Sequence, residues 1–384
     1  MNRRNFLTAS LASGVLAGCS SAPSPTLAPV RPKNPIPKWM GFNLQWMLAY
    51  RFQATPLEFY QQRRKERHLE WMTSWGFDFV RLGTSYWDLL DQRFLRGIQP
   101  GINVAAENVN KLDPKRLLFL RETVDLLLQH DLHVNLAMHR LPGDAVWNHE
   151  SEPFPLYRDP RGDEAMAFWW TELAQTFSNI PAQRLSFNLL NELPSHWDPR
   201  AGRDHLRRTM MIGVEVVRAI SPDRLIFIDG SSAGREIMDA MIADPVCHSL
   251  HAYSPLSISH VQSFGDARTA TWPEMDEKGR ERFGRKRLEL VHGQFGRAVE
   301  LGQGVHCGEA GAQAQLPAQP FLAWMKDNLD ILSAYDIGCA LWEFQGGFGL
   351  LDTGRAGMRK EKWHGHDLDV ELLELLQSHQ APKA

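Results

Sequence analysis

Two glutamates stand out by their positions: Glu192 in the run FNLLNELP and Glu309 in the run VHCGEAGA. Each follows a short apolar run that is typical of a buried strand. In a parallel barrel the carboxyl ends of the strands surround one mouth, so residues far apart in sequence can meet there. Two carboxyl groups that face each other are the minimum needed to cleave a glycosidic bond. The pair therefore predicts an enzyme that carries out this chemistry.

The elements that must position these glutamates alternate along the chain from Trp39 onward. Most of the predicted strands are continuous apolar runs, as expected for strands that are covered on both faces. We predict eight strands: Met40–Gln45, Phe77–Gly83, His133–His139, Leu185–Glu192, Leu225–Gly230, His248–Tyr253, Gly304–Gly311 and Cys339–Phe344.

Amphipathic stretches fill the gaps between the strands and predict helices. They are Pro56–Trp75, Pro114–Gln129, Asp163–Phe177, Asp204–Ala219, Ala233–Ile242, Gly279–Leu301, Pro320–Ala334 and Leu368–Gln377. Eight strands, each followed by a helix, predict an α/β protein with a single-domain (β/α)8 TIM barrel. A doubly wound sheet is the competing architecture, but no Gly-rich phosphate loop follows the first strand. The predicted barrel domain spans residues 39–384.

Three predicted connections are long: Thr84–Leu112, Arg140–Gly162 and Ser254–Lys278. Long loops within a compact domain are usually functional, and in a barrel they would build the cleft. These loops contain Trp87, Trp147 and Trp272 in a chain that has 13 Trp and only 6 Tyr. Packing and sugar stacking are both open explanations for this tryptophan content.

Polar and aromatic residues recur at the predicted ends of the strands. They are Arg81, His139, Asn191, Glu192, His251, Tyr253, Glu309 and Trp342. A single polar residue at a strand end is often only a cap. So many at one end of a barrel indicate a functional site.

This pattern resembles glycoside hydrolase family 5, whose barrels carry an Asn-Glu pair on strand four and a second Glu on strand seven. The matching segments are RLGTSYW, NLAMHRLPGD, FNLLNELP, HAYSP, GEAGA and ALWEFQGGFGLLDTGR. The resemblance covers the chain from about Trp39 to the segment HGHD that ends at Asp367.

The resemblance implies a role for each matching residue. Glu192 corresponds to the general acid/base and Glu309 to the nucleophile. The substrate-binding positions are Arg81, His139, Asn191, His251, Tyr253 and Trp342, of which Arg81 and Tyr253 would hold the nucleophile and Trp342 would form a stacking floor. It implies no cofactor and no metal.

The roles require particular electrostatics. A nucleophile must be ionised near neutral pH, which Arg81 and the Tyr253 hydroxyl would favour, and the acid Glu192 requires a raised pKa. Retaining enzymes hold the two carboxyl groups about 5–5.5 Å apart, against about 6.5–9.5 Å in inverting ones. We predict the short separation and retention of configuration.

Two residues depart from the pattern or compete with it. Many relatives have a small residue after the histidine of strand three, where this chain has Arg140, which affects the predicted substrate rather than the chemistry. Glu343 adjoins Trp342 and is a rival carboxylate, but alternation along a strand points it to the other side.

The N-terminal segment resembles a twin-arginine export signal that ends in a lipobox. Arg3 and Arg4 precede a modest apolar stretch, and Leu16-Ala17-Gly18-Cys19 closes it. This predicts residues 1–19 as a signal, lipidation at Cys19, and a periplasmic or cell-surface lipoprotein. An ordinary cleaved signal is the alternative. Residues 20–38, rich in Pro, Ser and Ala, are predicted to be a tether.

The remaining cysteines, Cys247, Cys307 and Cys339, each fall in an apolar run and are predicted to be buried free thiols. The net charge is −3 with interleaved signs, which argues against nucleic-acid binding. We expect a monomer that contacts a membrane only through the lipid.

Several functional alternatives remain. A β-1,4-glucan is the expected substrate, with β-mannan and β-1,3-glucan as alternatives in the same family. A metal-dependent barrel hydrolase could use His139, His248, His251 and His306, but the first strand lacks the usual His-x-His pair. A surface lipoprotein that binds glycans without cleaving them is the alternative from another class.

Overall fold

Eight parallel strands close into a barrel in the computed structural model. The structure describes residues 33–49, 54–95, 104–144, 151–195, 197–199 and 201–382. The barrel strands are β1 (Met40–Met47), β2 (Phe79–Ser85), β3 (His133–Arg140), β4 (Leu185–Asn188), β5 (Ile226–Asp229), β6 (Cys247–Ala252), β7 (Val305–Ala310) and β8 (Cys339–Leu341).

Each barrel strand pairs with its neighbours in sequence, and β8 pairs with β1 to close the ring. Every one of these pairings is parallel. All seven residues of β2 and all six of β7 are buried, because side chains fill the interior and helices cover the outside. The predicted (β/α)8 barrel is confirmed.

Helices cover the barrel between most of the strands. The longer ones are Leu57–Arg63, Glu66–Ser74, Pro114–Gln129, Pro160–Thr176, Arg203–Ile220, Arg285–Glu300, Ala318–Ser333 and Val370–Gln377. The helix that begins at Pro114 has its predicted bounds, because the Asp113 side chain accepts the backbone N–H of Lys115 and caps the first turn. Asp159 caps the helix at Pro160 in the same way.

The predicted helix Ala233–Ile242 is wrong. After β5 the chain turns sharply at Ser231–Gly234, where Ser232 and Ala233 have φ of 54° and 57°, in the left-handed region. A short 3₁₀ turn, Asp239–Met241, follows. A left-handed pair cannot continue a right-handed helix, so this connection stays close to the barrel mouth.

Other predicted helices have different bounds. The stretch Pro56–Trp75 divides into two helices because Arg64 and Lys65 are extended. The stretch Gly279–Leu301 becomes helical only at Arg285, since Glu281–Phe283 pairs with Glu274–Met275 as a hairpin.

A second hairpin shortens the last predicted helix. The strands Lys360–Trp363 and His366–Asp369 pair antiparallel, so the helix begins at Val370 instead of Leu368.

The end of the predicted tether packs against the barrel. Asn34 is buried, donates to the carbonyl of Val305 at 2.7 Å, and accepts the N–H of the same residue at 3.1 Å. Ile36 is also buried, and the Lys38 ammonium donates to the Ser333 hydroxyl at 2.9 Å. Asn34, Ile36 and Lys38, which the predicted tether includes, therefore contact the barrel domain. Cys19 lies outside the described residues.

The predictions for the cysteines and for the loop tryptophans have different outcomes. Cys247, Cys307 and Cys339 are buried free thiols, as predicted. Trp87 and Trp272 do not line the cleft: both are buried, and their indole N–H groups donate to the Ala49 carbonyl and the Asp327 carboxylate. Trp147 lies outside the described residues.

A search of the described helices finds none with both the length and the apolar character that crossing a bilayer requires.

Candidate active site

Glu192 lies in the connection after β4, which ends at Asn188 and is thus shorter than predicted. Its φ of 54° is in the left-handed region, an unfavourable conformation for a residue with a side chain. The backbone N–H of Glu192 donates to Asp229 Oδ2 at 2.9 Å, and that of Asn191 donates to the Met138 carbonyl at 2.9 Å. These two hydrogen bonds hold the chain in the conformation that presents the carboxyl group to the barrel mouth.

Glu309 lies on β7 and is buried. Arg81 Nη1 donates to its Oε1 at 2.6 Å, and the Tyr253 hydroxyl donates to its Oε2 at 2.9 Å. One oxygen of Glu309, one of Glu192 and one nitrogen of His251 all lie within 4.8 Å of one another. The structure thus brings together the two glutamates that the sequence analysis selected.

Arg81 organises the floor of the site. Its guanidinium is fully buried and donates to Asn191 Oδ1 at 2.9 Å and to Asn188 Oδ1 at 2.8 Å. It also donates to Asn43 Oδ1 at 3.1 Å and lies 3.3 Å from His139 Nε2. A planar guanidinium with five donors can hold this many acceptors at once, which an ammonium cannot.

Asp229 contacts three residues of the predicted site, and the sequence analysis missed it. It ends β5 and is fully buried, and its Oδ2 lies 3.0 Å from His251 Nε2 and 3.4 Å from Arg81 Nη2. The same oxygen accepts the N–H of Glu192. Its position at the end of the predicted strand LIFIDG was the signal, because the strand-end rule that selected the other residues applies equally to it.

His251 lies between three carboxylates. Its Nδ1 is 3.3 Å from Glu192 Oε1 and 3.5 Å from Glu309 Oε2, while Nε2 faces Asp229. Burial lowers the pKa of His251, but the charges of Glu309 and Asp229 outweigh burial and hold that pKa well above its usual range. The imidazole is therefore cationic.

Other pKa shifts follow from burial and charge. Burial, with the nearby charge of Arg81, holds the pKa of His139 well below its usual range, so this imidazole is neutral. Burial and the Glu309 carboxylate raise the pKa of Tyr253, which keeps its hydroxyl a donor. Despite burial, His251 and Arg81 lower the pKa of Asp229.

The pKa values of the two glutamates differ from the expectation. Burial raises the pKa of Glu309 more than His251 and Arg81 lower it. At Glu192 burial is opposed by the hydrogen bond and charge of His251, which leave its pKa below the ordinary value. The predicted raised pKa of Glu192 is wrong for this arrangement, because the cation next to it is His251 and favours the carboxylate.

A cavity of about 320 Å³ opens above the glutamates. Its lining residues are His139, Arg140, Asn191, Glu192, Ala233, Arg235, Tyr253, Leu256, His260, Phe264, Glu309, Gln313, Trp342 and Phe348. Leu256, His260 and Phe264 come from the long connection after β6, which therefore contributes to the cleft as predicted.

Trp342 forms part of the cavity wall. It follows β8 directly, and its ring centroid lies 5.5 Å from that of His139. Glu343 lines a different hollow beside β1 and accepts the N–H of Phe348 at 3.1 Å. This rival carboxylate therefore points away from the two glutamates, as predicted.

Among the described residues, Glu192, His251 and Glu309 are the group whose spacing could suit a metal ion. The arrangement is unfavourable for a cation, since Arg81 and Tyr253 already donate to both oxygens of Glu309 and His251 is cationic. Of the other histidines of the metal hypothesis, His139 lines the cavity next to the Arg81 guanidinium, and two lie elsewhere. His248 and His306 lie at the amino ends of β6 and β7, where they bond Gln303 and the Trp39 carbonyl.

Comparison with known families decides the classification of this barrel. The model described as Cellulase (glycosyl hydrolase family 5) matches residues 32–347. The chain belongs to glycosyl hydrolase family 5. Membership of the family makes the protein a glycoside hydrolase, as the two glutamates predicted.

Individual family 5 relatives are similar over most of their length. Endoglucanase C of Acetivibrio thermocellus is 23% identical over 335 residues, which cover 79% of this chain and 90% of the relative. Cellodextrinase A of Ruminococcus flavefaciens is 22% identical over 284 residues, covering 71% and 76%.

Solved structures show the same fold. A structure described as a glycoside hydrolase has a TM-score of 0.78 at 26% identity and covers 90% of this chain and 100% of its own. Endoglucanase Cel5A of the hyperthermophilic Thermotoga maritima has a TM-score of 0.64 at 17% identity, covering 88% and 96%.

Proposed function

We propose that this glycoside hydrolase cleaves a β-linked glucan by double displacement, with Glu309 as the nucleophile and Glu192 as the general acid/base. The observation that carries the proposal is the approach of one oxygen of each carboxyl group to within 4.8 Å. Nearest oxygens this close favour the separation of about 5–5.5 Å between the carboxyl groups of retaining enzymes over the about 6.5–9.5 Å that admits a water in inverting ones.

In the first step a Glu309 oxygen attacks the anomeric carbon, and the bond from that carbon to the leaving-group oxygen breaks. The leaving oxygen takes a proton from Glu192. In the second step a water oxygen attacks the same carbon, the ester bond to Glu309 breaks, and Glu192 accepts the proton of the water. Two inversions at one carbon give net retention.

The proton of the acid is supplied through His251. The imidazole is cationic, and its Nδ1 lies 3.3 Å from Glu192 Oε1. Transfer of that proton to Glu192 makes the neutral acid and a neutral imidazole without a change in the total number of bound protons. As Glu309 loses its charge on forming the ester, the attraction that holds the proton on His251 weakens.

A β-1,4-glucan is the proposed substrate. It is supported by the names of the relatives, which include endoglucanases and a cellodextrinase. β-Mannan is the second candidate, because a structure of the Thermotoga maritima enzyme is described in complex with mannotriose. β-1,3-Glucan is a third possibility within the family.

The test is incubation of the purified domain, from Pro32 onward, with defined oligosaccharides of each class. Product sizes report the linkage and the cleavage pattern, and proton NMR within the first minutes reports the anomer released. We expect the β-anomer first and no turnover by Glu309→Gln. Initial release of the α-anomer would contradict the mechanism, and binding without turnover by the unaltered domain would favour a glycan-binding protein.

We also propose export by the twin-arginine route and lipidation of Cys19, supported by the sequence of residues 1–19. Cys19→Ala is expected to release the protein from the membrane fraction without loss of activity. If the unaltered protein is itself found free in the soluble fraction, the ordinary cleaved signal is the better explanation.

A further inference from the structure

Two arginines line the same cavity as Glu192: Arg140, which follows His139, and Arg235, which follows the turn after β5. Both are half-buried. Among the described parts of the chain, neither guanidinium has a carboxylate within ion-pair distance. Arg140 donates to the carbonyl of His139, and Arg235 uses Nε for the Ser232 carbonyl at 2.8 Å.

The lack of a carboxylate partner is unusual among the described arginines of this protein. Most of the others are either paired with a carboxylate, as Arg207 is with Asp244, or satisfied by several carbonyls, as Arg224 is. Among the described residues, the terminal nitrogens of Arg235 and the Nε and Nη2 of Arg140 have no hydrogen-bond acceptor, and both side chains line the cavity. The chain as a whole has a net charge of −3, so the positive charge at this place is local.

We propose that Arg140 and Arg235 form a subsite for an anionic group, a carboxylate or a phosphate, carried by the glycan close to the bond that is cut. The guanidinium fork matches both groups with paired hydrogen bonds. The position follows from the cavity, which both arginines line together with Glu192 and Glu309. The inference rests on the proposed function and adds the charge of the substrate to it.

A bound anion would also assist the acid. The charge of Arg140 is among the influences that lower the pKa of Glu192, after the larger one of His251. An anion that pairs with Arg140 cancels that charge and lets the Glu192 carboxyl hold its proton more readily. A neutral glycan leaves the positive charge in place beside the residue that must donate a proton.

The experiment compares three soluble β-1,4-glucans with the same degree of substitution: hydroxyethyl (neutral), carboxymethyl and phosphorylated cellulose. The measured quantity is the ratio of kcat/KM for each anionic polymer to that for the neutral one. Arg235→Gln and Arg140→Gln are each expected to reduce that ratio by about tenfold, since each removes a charge-assisted hydrogen bond to the anion. The polymer with the larger ratio identifies the preferred anion.

Arg297→Gln is the matched control. It removes the same charge from the exposed face of the helix Arg285–Glu300, where Arg297 pairs with Glu300. Its ratio should equal that of the unaltered enzyme. Melting temperatures show that the variants are folded.

The outcomes are separable. Suppose that the unaltered enzyme cleaves the neutral polymer, and that the variant carrying both Arg140→Gln and Arg235→Gln keeps the anionic-to-neutral ratio of kcat/KM within twofold of the original. The anionic subsite is then refuted while the proposed function stands. If the unaltered enzyme cleaves none of the three polymers, the β-1,4-glucan assignment fails. In that case the subsite is tested by binding of the Glu309→Gln variant to carboxymethyl and to hydroxyethyl cellulose. Stronger retention by the carboxymethyl polymer supports the subsite, and equal retention by the two polymers overturns it.

Discussion

Arg81 and Glu309 form an ion pair at 2.6 Å that is closed off from solvent. Arg81 comes from β2 and Glu309 from β7, which β1 and β8 separate in the ring, so the pair crosses part of the barrel interior. The pair sets the position of the attacking oxygen, and Arg81 sets that of Asn191 as well. One side chain thereby ties the nucleophile to the segment that bears the acid.

Arg81→Lys is expected to lower kcat/KM by about a hundredfold or more, because an ammonium keeps the charge but cannot hold the Asn43, Asn188 and Asn191 amides together with Glu309. Steady-state kinetics on an oligosaccharide substrate measure the effect. Arg297→Lys serves as the control for the substitution itself. Activity within fivefold of that of the unaltered enzyme would contradict this prediction, because it would show that a positive charge alone is enough to position Glu309.

Asp229→Asn is expected to impair acid catalysis selectively. Its oxygen supports the strained backbone of Glu192 and faces His251, so the loss falls on the delivery of the proton. For an alkyl glycoside we expect a decrease in kcat/KM of about tenfold. For a dinitrophenyl glycoside, whose leaving group needs no protonation, the decrease should be under twofold.

Asp223→Asn, in the exposed turn before β5, is the matched control for Asp229→Asn and should affect neither substrate. Equal losses on the two glycosides would assign Asp229 to general folding or to the nucleophile and contradict its role in positioning the acid.

His251→Gln is expected to shift the alkaline limb of the pH profile. The positive charge and hydrogen bond of His251 lower the pKa of Glu192 below its ordinary value, against burial, which raises it. In the unaltered enzyme the proton that the acid donates is held on His251, whose pKa lies well above its usual range, so the alkaline limb follows the loss of that proton. Glutamine cannot hold it, and the Glu192 carboxyl of the variant must hold it alone. The alkaline limb of kcat/KM should therefore move to lower pH and the maximum should fall, whereas an unchanged limb or a shift to higher pH would contradict the supply of the proton through His251.

Trp342→Ala is expected to raise KM by about tenfold with a smaller effect on kcat, because its half-buried ring forms part of the cavity wall and offers an apolar face to a sugar. Trp342→Phe keeps an aromatic face and should recover most of the affinity. If the alanine variant lowers kcat alone, Trp342 positions His139 and does not bind the sugar.

The sequence predicted the fold because its strands are continuous apolar runs and its caps are clear. The same reasoning selected eight residues that the structure brings together, since a strand end in a parallel barrel can lead only to one mouth. It missed Asp229 only by not applying this rule to the fifth strand.

Other features depend on contacts that no local pattern encodes. The left-handed residues Ser232 and Ala233 replaced a predicted helix, because the turn there is held by the Ala233 N–H bonded to the Leu193 carbonyl. The lowered pKa of Glu192 depends on the placement of His251 on another strand. The burial of Trp87 and Trp272 depends on which loops fold back onto the helices.

Identification of the attacking residue tests the mechanism most directly. A 2-deoxy-2-fluoro glycoside with a dinitrophenolate leaving group slows both steps but lets the ester form, so the labelled enzyme can be digested and its peptides sequenced by mass spectrometry. We predict one label per chain, on Glu309, and none on the Glu309→Gln variant. A label on Glu192, or inactivation without any covalent sugar, would contradict the assignment of the two glutamates.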